Sequence, residues 1–452
     1  MNSDLSDLKY RRYRDRNNTF LFTLPVNKNV QNSIIIRLFG VIIYVMKFTY
    51  HKSIIKLLEG IMLKLLKNGE LYSPEYLDKM DLLIANNKIA AIGKNLSASF
   101  SDNIDFEIID CSDKLVVPGF IDGHVHITGG GGEGGYKTRT PEIKLVDITS
   151  CGVTTVIGCL GTDGITRSME ALYAKAKALE EEGISTYIFS GSYRLPPVTI
   201  TGDIMKDILL IDKVIGAGEI AISDHRSSQP MLDDLKHLAA NVRVGGILSG
   251  KAGVICFHVG DGIEMLDKIK TIVESTEIAF SQFLPTHMNR NKDLFEESIK
   301  YAKAGGFIDF TTSSNPNSNK KSDLNASRCL KLALDAGVAA HQITFTSDGQ
   351  GSLPVFDDTY HLIRLDIGRV ASLYDQFKAS VLSEHVPLET ALKVITSNPA
   401  DLYKLTNKGR LQKGLDADLV ILSKEDLTVN TVISMGKVML RDTKIEVFGT
   451  FA

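Results

Sequence analysis

The sequence predicts an α/β fold: a (β/α)8 barrel of the TIM type, with a small β-sandwich formed by the N-terminal and C-terminal flanks. Two observations lead to this prediction. From residue 115 onward, short β-rich runs alternate eight times with helix-like stretches, at intervals of about 30 to 40 residues. The segments on either side of this region consist instead of short β-rich runs separated by turns.

The count of eight runs favours a closed barrel, because a doubly wound sheet typically shows only about six or seven such units. The stretches between the runs, such as SMEALYAKAKALEEEG and DLFEESIKYAKAGG, have helical periodicity and end in glycine, which is typical of a helix C-cap. The predicted strands cover residues 115–126, 153–158, 185–193, 219–224, 254–260, 283–287, 307–311 and 343–349.

Three regions are predicted along the chain. Residues 118–398 form the barrel, and residues 62–117 and 399–452 form the β-sandwich together, since each flank alone is too short to bury a good core. Residues 1–61 are basic and Asn-rich at first, then apolar up to Lys47, with a break at Arg37. This apolar run is shorter than the ~20 residues of a membrane span. We expect a dispensable extension, with a surface-lying amphipathic segment as the alternative.

Composition excludes several classes of protein. Of 452 residues, 44% are hydrophobic and 23% are charged, as is ordinary for a globular protein. The net charge of −3 gives no basic excess, so neither a nucleic-acid partner nor a membrane partner is expected. Five scattered cysteines without a CxxC spacing predict a reducing, cytoplasmic setting and argue against a structural zinc site. Any metal must therefore be bound by His and carboxylate side chains.

Candidate metal ligands lie at the ends of the predicted strands. His124 and His126, in PGFIDGHVH, are two residues apart on a strand and share one face. His258, His287 and Asp348 end the fifth, sixth and eighth runs. Any one of these histidines alone is more simply explained as a core residue. Because the carboxyl ends of barrel strands meet at one mouth, the set predicts a divalent metal site, such as a zinc site.

Eight segments, PGFIDGHVH, GGGGEGG, LGTDG, SGSYRLPP, AISDHRSS, FHVGD, LPTHMNRN and TSDGQGS, resemble the isoaspartyl (beta-aspartyl) dipeptidases of the amidohydrolase superfamily. The resemblance runs from about residue 62 to the C-terminus. HxH alone is common to amidohydrolases, whereas GGGGEGG, SDHRS and THxNRN separate this family from dihydroorotases and hydantoinases. The resemblance implies that a hydroxide shared by two divalent metal ions, expected to be zinc, cleaves a β-linked dipeptide into aspartate and an amino acid. It also implies a homo-oligomer.

The resemblance implies roles for individual residues at the metal site. Asp348 would also be the general base, and Tyr193 would donate a hydrogen bond to the developing oxyanion. A rim-packing role is the alternative for Tyr193. The implied metal ligands are His124, His126, Glu219, His258, His287 and Asp348.

Glu219 marks a departure from the family pattern. In many members the carboxylate shared by the two metals is a carboxylated lysine, but the matching position in GAGEIAISDHR is Glu219. Lys206 and Lys213 lie upstream, on what reads as the preceding helix. The segment has also gained a residue, which would move the backbone inward and compensate for the shorter side chain. We therefore predict that Glu219 bridges the metals and that activity does not require CO2.

The implied substrate contacts match the charges of an isoaspartyl dipeptide. Glu133 would bind the α-ammonium group, and Arg226, Arg290 and Ser352 would bind the two carboxylates. The alternative for Arg226 is an ion pair with Asp224. The loop near Gly131 and the residue Thr162 would add backbone contacts.

Other functions are consistent with parts of this pattern. A cyclic amidase similar to dihydroorotase or hydantoinase, or an N-acyl amino-acid hydrolase, would use the same barrel, but a cyclic ureide offers no ammonium group to Glu133. A metal-free, non-enzymatic barrel is the more distant alternative. Such proteins usually lose the ligand residues, whereas this chain keeps them.

Overall fold

A computed structural model of the chain describes residues 63–96, 106–313, 324–356 and 362–451, together with four strands between residues 11 and 46. The chain divides into two compact units, Met1–Gly60 and Ile61–Ala452. In the first unit, antiparallel pairs form between β1 (Arg11–Arg14) and β2 (Phe20–Thr23), and between β3 (Ser33–Leu38) and β4 (Val41–Met46). That residues 1–61 are dispensable stays a prediction.

The second unit alternates strands and helices between two β-rich flanks. Its described strands are β5 (Leu63–Tyr72), β6 (Tyr76–Ala85), β7 (Lys88–Gly93), β8 (Glu107–Asp110), β9 (Lys114–Pro118), β10 (Phe120–Val125), β11 (Val153–Gly158), β12 (Ser185–Ser190), β13 (Val214–Ile222), β14 (Val254–Val259), β15 (Phe283–Thr286), β16 (Ile308–Thr311), β17 (Ile343–Thr346), β18 (Ser352–Phe356), β19 (Leu362–Ile367), β20 (Leu419–Ser423), β21 (Val429–Ser434), β22 (Lys437–Arg441) and β23 (Lys444–Ile445). Its described α-helices are α1 (Leu145–Thr149), α2 (Met169–Glu182), α3 (Ile204–Leu210), α4 (Leu232–Ser249), α5 (Asp267–Ser275), α6 (Lys292–Lys303), α7 (Ala326–Asp335), α8 (Ala371–Leu382), α9 (Leu388–Lys393) and α10 (Ser397–Leu402).

Strands β10 to β17 form the barrel, in agreement with the eight-run prediction. The first six lie in chain order in one parallel sheet, and β16 pairs in parallel with β17. A parallel bridge between Val125 and Gly349 links the first strand to the segment after the last one. Helices separate these strands in sequence, as a parallel sheet requires.

The predicted run 115–126 was wrong as a single strand. The structure divides it into β9 and β10 at Gly119, where the chain leaves the flank sheet and enters the barrel. The N–H of Gly119 donates to the carbonyl of Asp418, and a Cβ at this position would lie 2.2 Å from Oγ1 of Thr154. Only glycine fits so close an approach between the two layers.

Helices α2 and α6 cover the two stretches whose periodicity predicts a helix. The Ser168 side chain accepts the N–H of Ala171 at the start of α2, and Gly183 ends this helix with a φ of 123°. At the start of α6, the Asn291 side chain accepts the N–H of Leu294. The buried positions of α2 recur at helical spacing and pack against the barrel strands; they are Met169, Leu172, Ala176 and Leu179.

The two flanks of the second unit meet in one nine-stranded sheet, with the order β23-β22-β21-β20-β9-β5-β6-β7 and with β8 paired to β5. The antiparallel pairing of β20 with β9 joins the C-terminal flank to the N-terminal flank. Leu82, Ile84, Leu419 and Ile421 belong to the buried cluster under this sheet. The association of the flanks is therefore observed, while their arrangement as a sandwich stays a prediction.

A buried ion cluster ties the flank sheet to the barrel. The ammonium group of Lys408 lies 2.5 Å from the Asp418 carboxylate, 2.8 Å from that of Asp416 and 2.5 Å from Oγ of Ser185 on β12. Burial lowers the pKa of Lys408, but the two carboxylates outweigh burial and raise it. The ammonium group is thus charged and fully paired.

The N-terminal end of the barrel is filled with apolar side chains. Tyr403, just after α10, is fully buried with Phe189 and Leu284, and each such side chain contributes about 1.5–3 kcal/mol on burial. The candidate metal ligands lie at or near the carboxyl ends of the strands, which is where barrels of this type carry their functional residues. Among the residues that the structure describes, no helix combines the length and the apolar character of a membrane span.

Candidate active site

Glu219 is the centre of a buried cluster of histidines at the carboxyl ends of the barrel strands. Its Oε2 lies 3.1 Å from Nδ1 of His258 and 3.4 Å from Nε2 of both His124 and His287. Its Oε1 lies 3.5 Å from Nε2 of His126. One carboxylate thus faces all four histidines that the sequence selected.

A bulge in β13 places Glu219 at this centre. In the pairing of β13 with β14, Ala217 is opposite Ile255 and Ile220 is opposite Phe257, so three residue steps on β13 match two on β14. A β-bulge of this kind reorients a side chain next to an active site. The bulge at Gly218 and Glu219 lies in the segment for which the sequence predicts an extra residue, and a gain relative to the family pattern stays a prediction.

The two upstream lysines are directed elsewhere. Lys206 lies on α3, as predicted. Lys213 does not, because α3 ends at Leu210, and its ammonium group bonds to Glu180 at 2.7 Å and to the carbonyl of Thr186 at 2.9 Å. Lys213 therefore does not reach the cluster, and Glu219 as the shared carboxylate stays a prediction.

Asp348 and Tyr193 complete the inner cluster. Oδ1 of Asp348 lies 3.0 Å from Nε2 of His126 and 3.7 Å from Nε2 of His124. The hydroxyl of Tyr193 lies 2.8 Å from Nδ1 of His258, so this side chain points into the cluster. His287 and Asp348 have φ values of 65° and 53°, and such left-handed backbone costs about 1–2 kcal/mol at residues other than glycine.

The electrostatics of the cluster suit a cation. Burial raises the pKa of Glu219, but His124 and His258 outweigh burial and hold it well below its ordinary value. The pKa of Asp348 falls to about 2, because its hydrogen bond with His126 outweighs burial. Burial and then the charge of His258 lower the pKa of His287 to about 3. Burial lowers the pKa of His124 and of His126, but Cys159 and the carboxylates outweigh burial and raise both pKa values well above the ordinary one. The carboxylates thus draw positive charge into the cluster, and a metal that binds there must displace the protons of these imidazoles.

Two groups of side chains have the geometry of metal sites, and they share Glu219. The first contains His124, His126, Cys159 and Glu219, and the second contains Glu219, His258 and His287; within each, the ligand atoms lie within 4.8 Å of one another. Nε2 of His124 and Oε1 of Glu219 are buried without a hydrogen-bond partner. Such atoms are costly unless they bind a ligand. The residues present therefore fit two metal ions that share one carboxylate.

Each histidine also has a polar neighbour at its other ring nitrogen, and the sequence interpretation missed these neighbours. The distance from the ring nitrogen to its neighbour is 2.6–2.9 Å for the oxygen partners and 3.7–3.8 Å for the sulfur partners. Such partners set the orientation and tautomer of metal-binding imidazoles. The pairs are His124 with Cys256, His126 with Cys159, His258 with Asp224 and His287 with Thr311.

The Gly-rich loop brings Glu133 towards the cluster. Its carboxylate accepts hydrogen bonds from the hydroxyls of Thr162 at 3.0 Å and Ser352 at 3.2 Å. Gly131 has a φ of 71°, which glycine adopts freely, and a Cβ there would lie 3.3 Å from that of Ser352. The structure thus brings together the four positions predicted to contact the substrate here, which are Glu133, Gly131, Thr162 and Ser352.

The two arginines approach the cluster from the side of His258. Arg226 binds Asp224 through Nε at 2.9 Å and Nη2 at 2.8 Å, so the ion pair named as the alternative is present. Its Nη1 lies 3.4 Å from Glu133. Nε of Arg290 donates to the carbonyl of Val259 at 3.2 Å, and its Nη2 lies 3.5 Å from Nε2 of His258.

Arg167, which the sequence interpretation also missed, holds the Gly-rich loop in place. Its buried guanidinium donates to the carbonyls of Thr128 and Gly130 at 2.8 Å and of Thr140 at 3.1 Å. These carbonyls lie on both limbs of the loop that carries Glu133. These hydrogen bonds, called the Arg167 clamp below, join residues that are 27 to 39 positions apart in sequence. No local sequence pattern indicates them.

Comparisons with known proteins agree with this geometry. Residues 115–439 match the amidohydrolase family. A dihydroorotase from Bacillus cytotoxicus is 25% identical over 411 residues, which cover 82% of this chain and 92% of that protein. A dihydropyrimidinase structure from Brevibacillus agri, at 14% identity and a TM-score of 0.59, shares the fold; it covers 86% of this chain and 97% of its own.

A closer similarity is to a solved beta-aspartyl dipeptidase of Fervidobacterium islandicum, in complex with the dipeptide beta-Asp-Leu. It is 46% identical, has a TM-score of 0.79, and covers 86% of this chain and 100% of its own. The family inferred from the motifs is thereby confirmed. The chain belongs to the amidohydrolase family and, within it, to the beta-aspartyl dipeptidases, which are hydrolases acting on peptide bonds.

Proposed function

We propose that this protein hydrolyses the β-linked amide bond of isoaspartyl dipeptides and releases aspartate and a free amino acid. The observation that carries the proposal is the position of Glu133, an acid held between Thr162, Ser352 and Arg226 beside a buried metal-binding cluster. The solved relative that was crystallised with beta-Asp-Leu supports the same substrate class.

The charges around the cluster fit those of the substrate. An isoaspartyl dipeptide has one ammonium group and two carboxylates around a single amide bond. Glu133 would bind the ammonium group, with Thr162 and Ser352 orienting its oxygens. Arg290 and the Nη1 side of Arg226 would bind carboxylates, because Asp224 already occupies the other edge of the Arg226 guanidinium.

The inner residues would perform the proton transfers. Asp348, ionised with a pKa of about 2, would take a proton from the attacking water and deliver it to the leaving amine nitrogen. As the new C–O bond forms and the amide C–N bond breaks, the Tyr193 hydroxyl would donate to the carbonyl oxygen. Burial and the Glu219 charge raise the pKa of Tyr193 well above its ordinary value, so that it stays a donor.

The metal-binding residues fit a pair of divalent ions, with zinc as the expected metal. The ligands would be His124, His126, Glu219, His258, His287 and Asp348, with Glu219 shared. Bound metal ions would lower the pKa of a water molecule and polarise the amide carbonyl of the substrate. Because Glu219 is a carboxylate without modification, it needs no CO2 to serve as the shared ligand.

The test is the release of amino acid from β-Asp-Leu by the full chain loaded with zinc, with α-Asp-Leu and dihydroorotate as comparison substrates. We expect hydrolysis of the β-linked dipeptide only, and its loss on Asp348→Asn. The matched control is Asp233→Asn, at an exposed carboxylate on α4. Turnover of dihydroorotate, with none of β-Asp-Leu, would replace the proposal with the cyclic amidase alternative.

A further inference from the structure

Asp224 connects the candidate metal site to the candidate substrate site. Its carboxylate is buried, with 3% of the side chain exposed. Oδ2 lies 2.9 Å from Nε2 of His258 and 2.8 Å from Nη2 of Arg226. Oδ1 accepts Nε–H of Arg226 at 2.9 Å and the backbone N–H of the same residue at 2.8 Å. One carboxylate thus contacts both a metal-facing imidazole and a substrate-facing guanidinium.

The position of Asp224 is fixed by its surroundings. It follows β13, the strand that carries Glu219, and His258 lies opposite Ala221 on the adjacent strand. The preceding residue, Ser223, accepts the N–H of Gly262 at 2.8 Å through its carbonyl and donates its hydroxyl to Met265 at 2.9 Å. The carboxylate is therefore preorganised against His258.

His258 must carry its proton on the nitrogen that faces Asp224. Its Nδ1 points into the cluster, 3.1 Å from Glu219 and 2.8 Å from Tyr193, so a metal there needs a lone pair on Nδ1. The proton then resides on Nε2 and is donated to Asp224.

Two cations oppose this tautomer. Nη2 of Arg226 lies 3.1 Å from Nε2 of His258, and Nη2 of Arg290 lies 3.5 Å from it. Guanidinium groups only donate hydrogen bonds, so each favours a lone pair on Nε2 and a proton on Nδ1. That tautomer cannot bind a metal through Nδ1. The nearest acceptor to Nε2 among the described groups is the Asp224 carboxylate at 2.9 Å, since the Tyr193 hydroxyl lies 3.5 Å away, and this carboxylate reverses the preference.

We propose that Asp224 is a positioning residue that holds His258 in its metal-binding tautomer while it orients Arg226 towards the substrate. The inference deepens the proposed function and rests on it for the role of Arg226. Removing Asp224 would weaken metal binding and substrate binding together, whereas removing Arg226 would weaken only substrate binding. Loss of an outer-shell partner typically costs about 10- to 100-fold in metal affinity or activity.

The experiment compares Asp224→Asn, Arg226→Gln and the control Asp233→Asn in the full chain loaded with zinc. Metal retention is measured by titration with a chelator, and kcat and KM are measured with β-Asp-Leu. Thermal unfolding verifies that each variant folds. Should Asp224→Asn fail to fold, Asp224→Glu keeps the charge at a shifted position, and its metal retention should lie below that of the wild type.

We expect Asp224→Asn to lower metal affinity at least tenfold and to raise KM. Arg226→Gln should raise KM and leave metal retention at or above the wild-type level, because the guanidinium that opposes the tautomer is gone. Wild-type metal retention in a folded Asp224 variant would overturn the inference and leave the proposed function intact. A wild-type protein that does not cleave β-Asp-Leu would overturn the proposed function. If the Asp224 variant of that protein still retained metal weakly, the positioning of His258 by Asp224 would stand.

Discussion

Replacement of Glu133 by Gln tests whether this carboxylate recognises the α-ammonium group of the substrate. The change keeps the size of the side chain and removes its charge. Hydrogen bonds to charged groups contribute about 1.5–3 kcal/mol. Since 30% of the Glu133 side chain is exposed to screening solvent, we take the lower half of this range. At 1.4 kcal/mol per factor of ten, kcat/KM for β-Asp-Leu should fall about 10- to 40-fold.

The assay compares two substrates that differ only in the ammonium group. Succinyl-leucine has the carboxylates and the amide bond of β-Asp-Leu but no α-amino group. Glu133→Gln should therefore leave kcat/KM for succinyl-leucine within about twofold of the wild-type value, and the matched control Glu142→Gln, whose side chain is 61% exposed, should change neither substrate. If Glu133→Gln slowed both substrates equally, the carboxylate would not be recognising the ammonium group.

Three further predictions concern Arg167, which holds the Gly-rich loop, and Lys408, which ties the flank sheet to the barrel. Arg167→Met removes the donor to three loop carbonyls and should raise KM about tenfold, with a smaller change in kcat; an unchanged KM would contradict the clamp. Lys408→Met leaves the buried carboxylate of Asp418 without its cation, and leaves Asp416 with Lys88 alone. This change should lower the free energy of unfolding by about 3–5 kcal/mol in urea titrations. Lys408 outweighs burial to hold the pKa of Asp416 below its ordinary 3.8, so the stabilisation from Asp416 is complete above that pH and is lost as pH falls below it. The free energy of unfolding of Lys408→Met should therefore fall less steeply with decreasing pH in this range than that of the wild type. Equal slopes for the two proteins would refute the claim that Lys408 lowers the pKa of Asp416.

The barrel and its inner ligands could be predicted from local sequence patterns. Strand periodicity located β10 to β17, and the convergence of strand ends was enough to predict that His124, His258 and Asp348 lie in one cluster. The fourth run was also predicted to contain an extra residue, and β13 has a bulge in that segment, next to Glu219.

The residues that the sequence analysis missed make their contacts with side chains or backbone groups far away in the sequence. Asp224 has its role only because Nε2 of His258 points away from the cluster, which no local spacing encodes. Arg167 donates to backbone carbonyls on two limbs of a distant loop. Since every residue has a backbone carbonyl, the sequence does not show which residues accept these hydrogen bonds. The division of the first run at Gly119 depends likewise on the contact with Thr154 across two layers.

The most direct test of Glu219 as the shared carboxylate is reconstitution of the metal-free full chain with two equivalents of zinc in buffer freed of CO2. Release of leucine from β-Asp-Leu should return to its full rate without bicarbonate, and Glu219→Gln should abolish both this activity and the binding of the second zinc ion. A rate that depends on bicarbonate would contradict Glu219 as the shared carboxylate. Two bound zinc ions without cleavage of β-Asp-Leu would contradict the proposed substrate.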